Sequence, residues 1–252
     1  MKNEDIKKDN QNDDNNKNEN NDLKTNDNPK VDKKKNYEAE ILNLGKDYSD
    51  FDLNFKVVVI GNSGVGKTCI TNRATKNEFI DKYVTTIGME IFSLFIKLNK
   101  KILKLQLWDT CGQEVYRSLI TSFYRNCSLA ILVYSIDQKD SFQNLDLWIK
   151  ELKLNNSPDT KLVLVGNKLD LENQREVSFE EGKKFSNDYG FIDFFETSAK
   201  TGENINKMFI NIAIELYEEF LTYNDKISKT DFKKLRPQKV IVNKRRRKKC
   251  CF

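Results

Sequence analysis

The pattern of apolar and polar positions divides the chain into three parts. Residues 51–223 alternate short apolar runs with stretches in which apolar residues recur every three or four positions, whereas residues 1–50 and 224–252 lack both patterns. A segment without apolar clusters cannot bury enough surface to offset the entropy lost when its backbone is ordered. We therefore predict one folded domain at 51–223, a disordered Asn/Lys-rich extension at 1–50 and a basic tail at 224–252.

Within the domain, short β-branched or aromatic runs alternate with helical patterns, as in an α/β fold with a largely parallel sheet and helices on both faces. The predicted strands are Phe55–Ile60, Ile102–Trp108, Leu129–Ile136 and Lys161–Val165. A helix should begin at Lys67, after the first strand and a Gly-rich turn. In residues 204–221 the apolar spacing predicts a last helix that packs on the sheet and ends the domain.

The net charge of +5 belongs to the tail and not to the folded domain. Residues 1–50 carry a net charge of −3, residues 51–223 carry −2 and residues 224–252 carry +10. Nucleic-acid binding usually needs a basic surface on the folded part of a protein. A near-neutral domain therefore argues against a nucleic-acid partner.

The five cysteines, at positions 69, 111, 127, 250 and 251, are odd in number and scattered. This distribution does not resemble a disulfide framework and fits a reducing compartment. No apolar run approaches the length of about 18 residues that a membrane-spanning helix needs. Residue 2 is Lys in place of the Gly that myristoylation requires, so we expect no membrane entry by the polypeptide itself.

Residues 61–68, Gly-Asn-Ser-Gly-Val-Gly-Lys-Thr, match the phosphate-binding motif G-x-x-x-x-G-K-[ST] between a predicted strand and a predicted helix. The alternative to a phosphate-binding loop is a Gly-rich turn that contains Lys-Thr by chance. In the motif the backbone amides face the phosphates, Lys67 reaches them and Thr68 offers its hydroxyl to Mg²⁺. The expected phosphate-binding residues here are Gly61, Ser63, Gly64, Val65, Gly66, Lys67, Thr68 and Cys69. The motif alone does not distinguish GTP from ATP.

Guanine is favoured by Asn167-Lys-Leu-Asp170, which follows a predicted strand. The carboxylate of Asp170 can accept hydrogen bonds from the guanine N1–H and exocyclic amine, which adenine does not present in that arrangement. By itself this tetrapeptide could be a surface turn, just as residues 196–200, Glu-Thr-Ser-Ala-Lys, could be a helix cap.

Together, these two segments resemble the base-recognition loops of Ras-like GTPases. The resemblance implies a single P-loop GTPase domain with a mostly parallel six-stranded sheet, and GTP and GDP as substrate and product. It also implies that Asn167 bonds the base and braces the phosphate loop. The remaining guanine-binding residues that it implies are Phe79, Lys168, Asp170, Ser198, Ala199 and Lys200.

The segment Trp108-Asp-Thr-Cys-Gly-Gln-Glu114 resembles the second switch of that family. The resemblance implies that Asp109 holds Mg²⁺ through a water and that the Gly112 amide meets the γ-phosphate. Gln113 would orient the attacking water, while Thr86 would contact both Mg²⁺ and the γ-phosphate. Gln113, Lys67 and Thr86 are thus the expected catalytic residues, with hydrolysis on the order of 10⁻⁴ s⁻¹ until an activating protein contributes an Arg.

Several signatures are similar to the Rab family in particular: Thr86-Ile-Gly88, Lys104-Leu-Gln-Leu-Trp108, Leu132-Val-Tyr134, Asp140-Ser-Phe142 with Trp148, and the Cys-Cys-Phe end. The similarity implies an effector-facing surface formed by Ile87, Gly88, Ile91, Trp108 and Phe123. Many Rab proteins carry an aromatic residue where Ile91 stands. Cys111 replaces the usual Ala, either as a small apolar residue or as a redox-active thiol. The alternative function for the whole chain is a GTP-binding interaction module with little hydrolysis.

Cys250 and Cys251 follow six consecutive basic residues and resemble a double prenylation site. Two lipid chains and a basic segment give stable membrane attachment. The alternative for the tail alone is a nuclear-localisation-like or solvated charge run. The Rab resemblance implies an exchange factor, an activating protein, effectors, a GDP-dissociation inhibitor and a prenylation escort as partners. The implied location is the cytoplasmic face of an intracellular membrane, with a cytosolic pool. The N-terminal extension at 1–50 is either a partner-binding arm or compositional drift without a function.

Overall fold

The computed structural model describes residues 36–42, 48–81, 86, 88–112, 123–157, 160–229 and 240–242. The predictions for Ile87, Gln113, Cys250 and Cys251 lie outside the described residues. Most of the predicted N-terminal extension and most of the predicted basic tail also lie outside the described residues.

One mixed sheet organises the described part of the chain. Its strands are β1 (Ala39–Ile41), β2 (Leu53–Ile60), β3 (Met89–Leu98), β4 (Lys101–Thr110), β5 (Leu129–Ser135), β6 (Lys161–Asn167), β7 (Asp193–Glu196) and β8 (Val240–Val242). Their order is β1-β3-β4-β2-β5-β6-β7, and β8 pairs with β2 beside this path. The neighbours from β4 to β7 are parallel, whereas β1, β3 and β8 join antiparallel. The predicted α/β class and mostly parallel sheet are confirmed, but the predicted number of six strands is too low.

Helices cover both faces of this sheet. They are α1 (Lys67–Lys76), α2 (Lys139–Gln143), α3 (Leu145–Asn155), α4 (Phe179–Asp188) and α5 (Ile205–Lys229), with a 3₁₀ helix at Leu169–Gln174. Since successive side chains of a strand point to opposite faces, β2 contributes to two cores. Val57 and Val59 pack in the cluster that includes α1 and α5, whereas Val58 and Ile60 pack in the cluster that includes α3. Two-sided burial explains why β2 reads as a continuous apolar run.

The N-terminal boundary of the domain lies earlier than predicted. Within the extension that was expected to be disordered, β1 pairs antiparallel with Ile96–Leu98 of β3. Tyr37, Ala39 and Ile41 alternate with glutamates and pack against the core, a period-two pattern too short to stand out in its polar surroundings. The prediction of disorder is therefore wrong for this strand, which adds one strand to the edge of the sheet.

The C-terminal boundary also differs from the prediction. Helix α5 continues to Lys229, and β8, in the predicted tail, pairs with Leu53–Phe55 of β2. Pairing is possible there because β5 runs beside β2 only from Val57 onwards. In the part of the chain that the structure describes, no helix has the length and apolarity needed to span a bilayer. The cysteines described there, Cys69, Cys111 and Cys127, form no disulfide.

Deleting residues 1–42 should destabilise the domain, because it removes β1 and uncovers the apolar surface under Tyr37 and Ile41. Partial burial of two such side chains corresponds to a loss of about 1–3 kcal/mol in the free energy of unfolding. Urea unfolding at a fixed saturating GDP concentration measures this loss. Deleting residues 1–35 keeps β1 and is the matched control. Equal unfolding midpoints for the two deletions would contradict a stabilising role for the strand.

Candidate guanine-nucleotide site

The phosphate loop connects β2 to α1 and ends on a buried lysine. Lys67 is 5% exposed, and its Nζ donates to the carbonyl oxygens of Gly61 at 2.9 Å and Asn62 at 2.7 Å. Burial lowers the pKa of Lys67 to about 8. Among the described ion pairs none involves this lysine. A buried ammonium that is held by carbonyls and belongs to none of these ion pairs suits an anionic ligand.

Helix α1 adds to the attraction for an anion at this point. Its first turn contains no acidic residue, so the positive end of the helix dipole is not neutralised by a side chain. Gly66 precedes the helix with φ of 95°, and a Cβ there would lie 2.3 Å from Nδ2 of Asn167. Both the backbone angle and the close approach therefore require glycine.

Thr68, Thr86 and Asp109, the three predicted Mg²⁺ residues, lie together. The Thr68 hydroxyl donates to Oδ2 of Asp109 at 2.5 Å and lies 2.8 Å from the Thr86 hydroxyl. Because Thr68 has a single hydroxyl proton and gives it to Asp109, Thr86 is the donor in the second bond. The cluster joins the start of α1, the end of β4 and the segment before β3.

The Asp109 carboxylate is poised to receive a cation. It is fully buried, and burial raises its pKa to about 6 despite the Thr68 hydrogen bond. Its Oδ1 has no hydrogen-bond partner among the described residues. A buried carboxylate with a free oxygen beside two hydroxyls provides the hard oxygen ligands that Mg²⁺ prefers, so these residues fit the ion. When bound, Mg²⁺ supplies neutralisation of the phosphate charge.

Gly112 lies directly against the phosphate loop. A Cβ at this position would come within 2.4 Å of the backbone of Asn62 and Ser63, so only glycine fits. The preceding Cys111 is 1% exposed and packs in the core, and its N–H donates to the Gly88 carbonyl at 3.0 Å. The structure thus favours the small apolar role of Cys111 over the redox role. Backbone pairing links the residues that follow Thr86 to those that precede Gln113.

Asn167 organises the two predicted base loops. Its Nδ2 donates to the Val65 carbonyl at 2.9 Å, and its Oδ1 accepts from the Thr197 hydroxyl and the Ala199 N–H, each at 3.2 Å. The Ser198 hydroxyl donates to Oδ1 of Asp170 at 2.5 Å. One buried amide therefore connects the phosphate loop with both base loops, so Asn167 braces the phosphate loop as the resemblance implied, and its bond to the base stays a prediction.

A cavity of about 300 Å³ lies between these segments. Predicted residues that line it are Ser63, Gly64, Gly66, Lys67, Thr68, Cys69, Phe79, Thr86, Gly112 and Lys168. Asp170, Ser198, Ala199 and Lys200 do not line the cavity and lie along the two loops instead. Lys168 stands in the left-handed region with φ of 67°, which turns the chain from β6 into the 3₁₀ helix.

Three of the predicted effector-facing residues, Ile91, Trp108 and Phe123, form a patch that does not line the cavity. Ile91 pairs across the strands with Trp108, and its side chain is 48% exposed. The rings of Trp108 and Phe123 have centroids 6.0 Å apart, and Nζ of Lys56 lies 3.8 Å from the Trp108 ring centroid. Lys56 thus covers one face of the indole by a cation–π contact. Gly88, with φ of 77°, begins the turn into this patch.

Two contributors to the site were missed from the sequence. The indole Nε1 of Trp148 in α3 donates to Oδ1 of Asn62 at 2.8 Å and so braces the phosphate loop from behind. Asp137 lies 3.5 Å from the Lys168 ammonium and also accepts from the Ser135 hydroxyl. Trp148 belongs to a Rab signature that assigns it no role at the site, Asp137 belongs to no motif, and no local pattern predicts contacts across 86 or 31 positions.

A comparison with protein families agrees with this geometry. A sequence model of the Ras family matches residues 56–218, which contain the phosphate loop, the cation cluster and both base loops. Members of this family bind GTP and GDP with Mg²⁺, and the residues present fit both. The chain belongs to the Ras family of small GTPases.

Proposed function

We propose that this chain is a Rab-like GTPase that hydrolyses GTP and regulates vesicle traffic at the cytoplasmic face of an intracellular membrane. The observation that carries the switch part of the proposal is the contact of Thr86 with the Thr68–Asp109 pair. Thr86 lies outside any helix or strand, between α1 and β3, so its position depends on this cluster. A segment held through a metal and phosphate cluster is released when the γ-phosphate leaves.

Hydrolysis in this proposal depends on positioning and charge neutralisation by residues of the chain. Lys67 and the amides at the start of α1 would hold the β- and γ-phosphates, while Thr68, Thr86 and Asp109 would hold Mg²⁺. Gly112 would place its N–H at the γ-phosphate, and Gln113 would orient the attacking water. Little covalent chemistry is required of the protein, so the reaction is slow without a partner that contributes an Arg.

The Rab-like part of the proposal rests on the sequence signatures and on the Ile91–Trp108–Phe123 patch. The patch lies on β3 and β4, directly beside Gly88 and Thr86, so a partner docked there would contact the nucleotide-dependent segment. An effector, an exchange factor, an activating protein and a GDP-dissociation inhibitor are the partners this proposal requires. The aliphatic Ile91 would favour effectors that present an apolar side chain.

Membrane attachment would come from prenyl groups on Cys250 and Cys251. Each basic residue near an anionic leaflet adds about 1 kcal/mol, which would complement the lipids through Lys244–Lys249. Membrane pelleting of full-length protein expressed with its prenylation machinery tests this part. The double variant Cys250→Ser/Cys251→Ser should move the protein to the supernatant, while Cys127→Ser, a buried cysteine of the core, is the control. Unchanged pelleting of the double variant would remove the lipid proposal.

Hydrolysis is tested by a single-turnover assay of the purified chain loaded with GTP and started with Mg²⁺. The expected rate is on the order of 10⁻⁴ s⁻¹, rising with an activating protein, and Gln113→Leu should fall well below it. Hydrolysis by the chain would be contradicted if GDP formed only at the rate at which GTP hydrolyses in buffer without protein, and if the activating protein did not accelerate it. That result would leave the alternative of a GTP-binding interaction module.

A further inference from the structure

Arg73, on the last turns of α1, contacts a loop that is distant in the sequence. Its Nε donates to the Ala199 carbonyl and its Nη2 to the Lys200 carbonyl, each at 2.8 Å. The side chain also packs against Gly202, where an added Cβ would lie 3.7 Å from Cδ of Arg73. The second base loop is therefore held by the helix that begins at the end of the phosphate loop.

The same guanidinium also contacts the segment that leaves α1 towards Thr86. Its Nη1 donates to the Asn77 carbonyl at 3.0 Å and to Oδ1 of Asn77 at 3.2 Å. Asn77 caps α1 in the left-handed region with φ of 57°, and its N–H donates to the Arg73 carbonyl at 3.1 Å. Phe79, two residues later, lines the nucleotide cavity.

The chemistry of this position requires arginine. The planar guanidinium of Arg73 donates four hydrogen bonds in two directions, and every acceptor is a neutral carbonyl or amide oxygen. A guanidinium presents five N–H donors in a rigid fork and stays charged at all relevant pH values. A lysine at this position offers one point charge on a flexible stem and cannot hold both segments in fixed geometry.

We propose that Arg73 is a positioning residue that couples the second base loop, residues 198–202, to the segment 77–81. Because one side chain holds both, loosening either segment removes support from the other, and Arg73 thereby sets the residence time of the nucleotide. Arg73 does not line the cavity, so it acts through Ala199, Lys200 and Asn77. The inference rests on guanine-nucleotide binding by this family member and adds a determinant of its kinetics.

The first test is the release of a fluorescent GDP analogue from the full chain in Mg²⁺ buffer, chased with excess GDP. Arg73→Gln should release the analogue about tenfold faster or more, since the hydrogen bonds that hold both segments are lost. Arg73→Lys, which keeps the charge, should fall between Arg73→Gln and wild type. Arg125→Gln removes an exposed arginine from the loop before β5 and should release at the wild-type rate.

The second test separates coupling from a general loss of stability. Amide hydrogen exchange of the GDP-bound variants should speed up in both 77–81 and 198–202, while α4 keeps its wild-type protection. Asn77→Gly, which removes the side-chain acceptor and suits the left-handed backbone at this position, should speed up exchange in both segments to a smaller extent.

Wild-type release from Arg73→Gln, faster exchange in only one of the two segments, or equal loss of protection in α4 would each overturn the proposal. If Arg73→Gln does not fold, Arg73→Lys and Asn77→Gly provide the same comparison. Failure of the wild-type chain to bind the analogue at all would instead contradict the nucleotide-binding function, so the two failures are distinguishable.

Discussion

Replacing Lys67 with methionine is expected to weaken GDP and GTP binding by about two to three orders of magnitude. Truncating one partner of a buried, hydrogen-bonded charge pair costs about 3–4 kcal/mol, which corresponds to this loss in Kd. The methionine keeps the length of the side chain but leaves the phosphates without the ammonium that Gly61 and Asn62 hold in place. Titration of the nucleotide-free protein with a fluorescent GDP analogue measures the change.

The unbound fold should tolerate Lys67→Met. Burial lowers the pKa of this lysine, and none of the described ion pairs involves it, so its removal relieves a desolvation cost. The far-ultraviolet circular dichroism spectrum should match that of wild type. Lys183→Met, at an exposed position of α4, is the matched control and should bind as wild type does. Wild-type affinity of Lys67→Met would show that the phosphates do not lie at this lysine.

Replacing Asp170 with asparagine is expected to change which base the protein prefers. A carboxylate accepts from both the N1–H and the exocyclic amine of guanine, whereas an amide can accept one hydrogen bond and must donate the other. GDP affinity should fall about 100-fold, the scale of one charge-assisted hydrogen bond at about 1.5–3 kcal/mol. Xanthine carries a carbonyl in place of the amine, so xanthosine diphosphate should gain affinity.

Competition of unlabelled GDP, xanthosine diphosphate and ADP against a fluorescent nucleotide measures this change. Asp188→Asn, an exposed carboxylate at the end of α4, is the control for the loss of one charge. The Ser198 hydroxyl that donates to Asp170 can also donate to an asparagine oxygen, so the loop should keep its shape. An Asp170→Asn protein that still prefers GDP and gains nothing for xanthosine diphosphate would show that another residue reads the base.

The sequence predicts those parts of the fold whose signal is local. The strands β2, β4, β5 and β6 are found close to their predicted bounds because each is a short run in which buried apolar residues are continuous or alternate with polar ones. The helix α1 begins at Lys67 as predicted, since the motif defines both the loop and the first helical turn. Such signals need no knowledge of what packs against them.

The sequence does not predict pairing between distant segments of weak local pattern. β1 and β8 are three residues each, and both lie in segments whose composition suggests disorder. Their pairing depends on an open edge of β3 and an uncovered part of β2, which exist only once the sheet has formed. Helix α5 likewise continues past its apolar stripe to Lys229.

The same distinction applies to the site. Motif spacing predicts which residues belong to it, and the structure brings Thr68, Thr86 and Asp109 into one cluster. Motif spacing does not predict the roles of Arg73, Trp148 or Asp137, each of which contributes a single side chain from a distant part of the fold. Their contacts depend on tertiary geometry and leave no periodic trace in the chain.

The most direct test of the central claim is the nucleotide content of full-length protein purified in Mg²⁺ buffer. Acid denaturation followed by chromatography should release close to one guanine nucleotide per chain, because a buried lysine and a buried carboxylate retain the nucleotide and Mg²⁺ together. Removal of Mg²⁺ with a chelator before purification should lower that content. Recovery of adenine nucleotide, or of a protein that is folded yet free of nucleotide and unable to take up added GDP, would contradict the account.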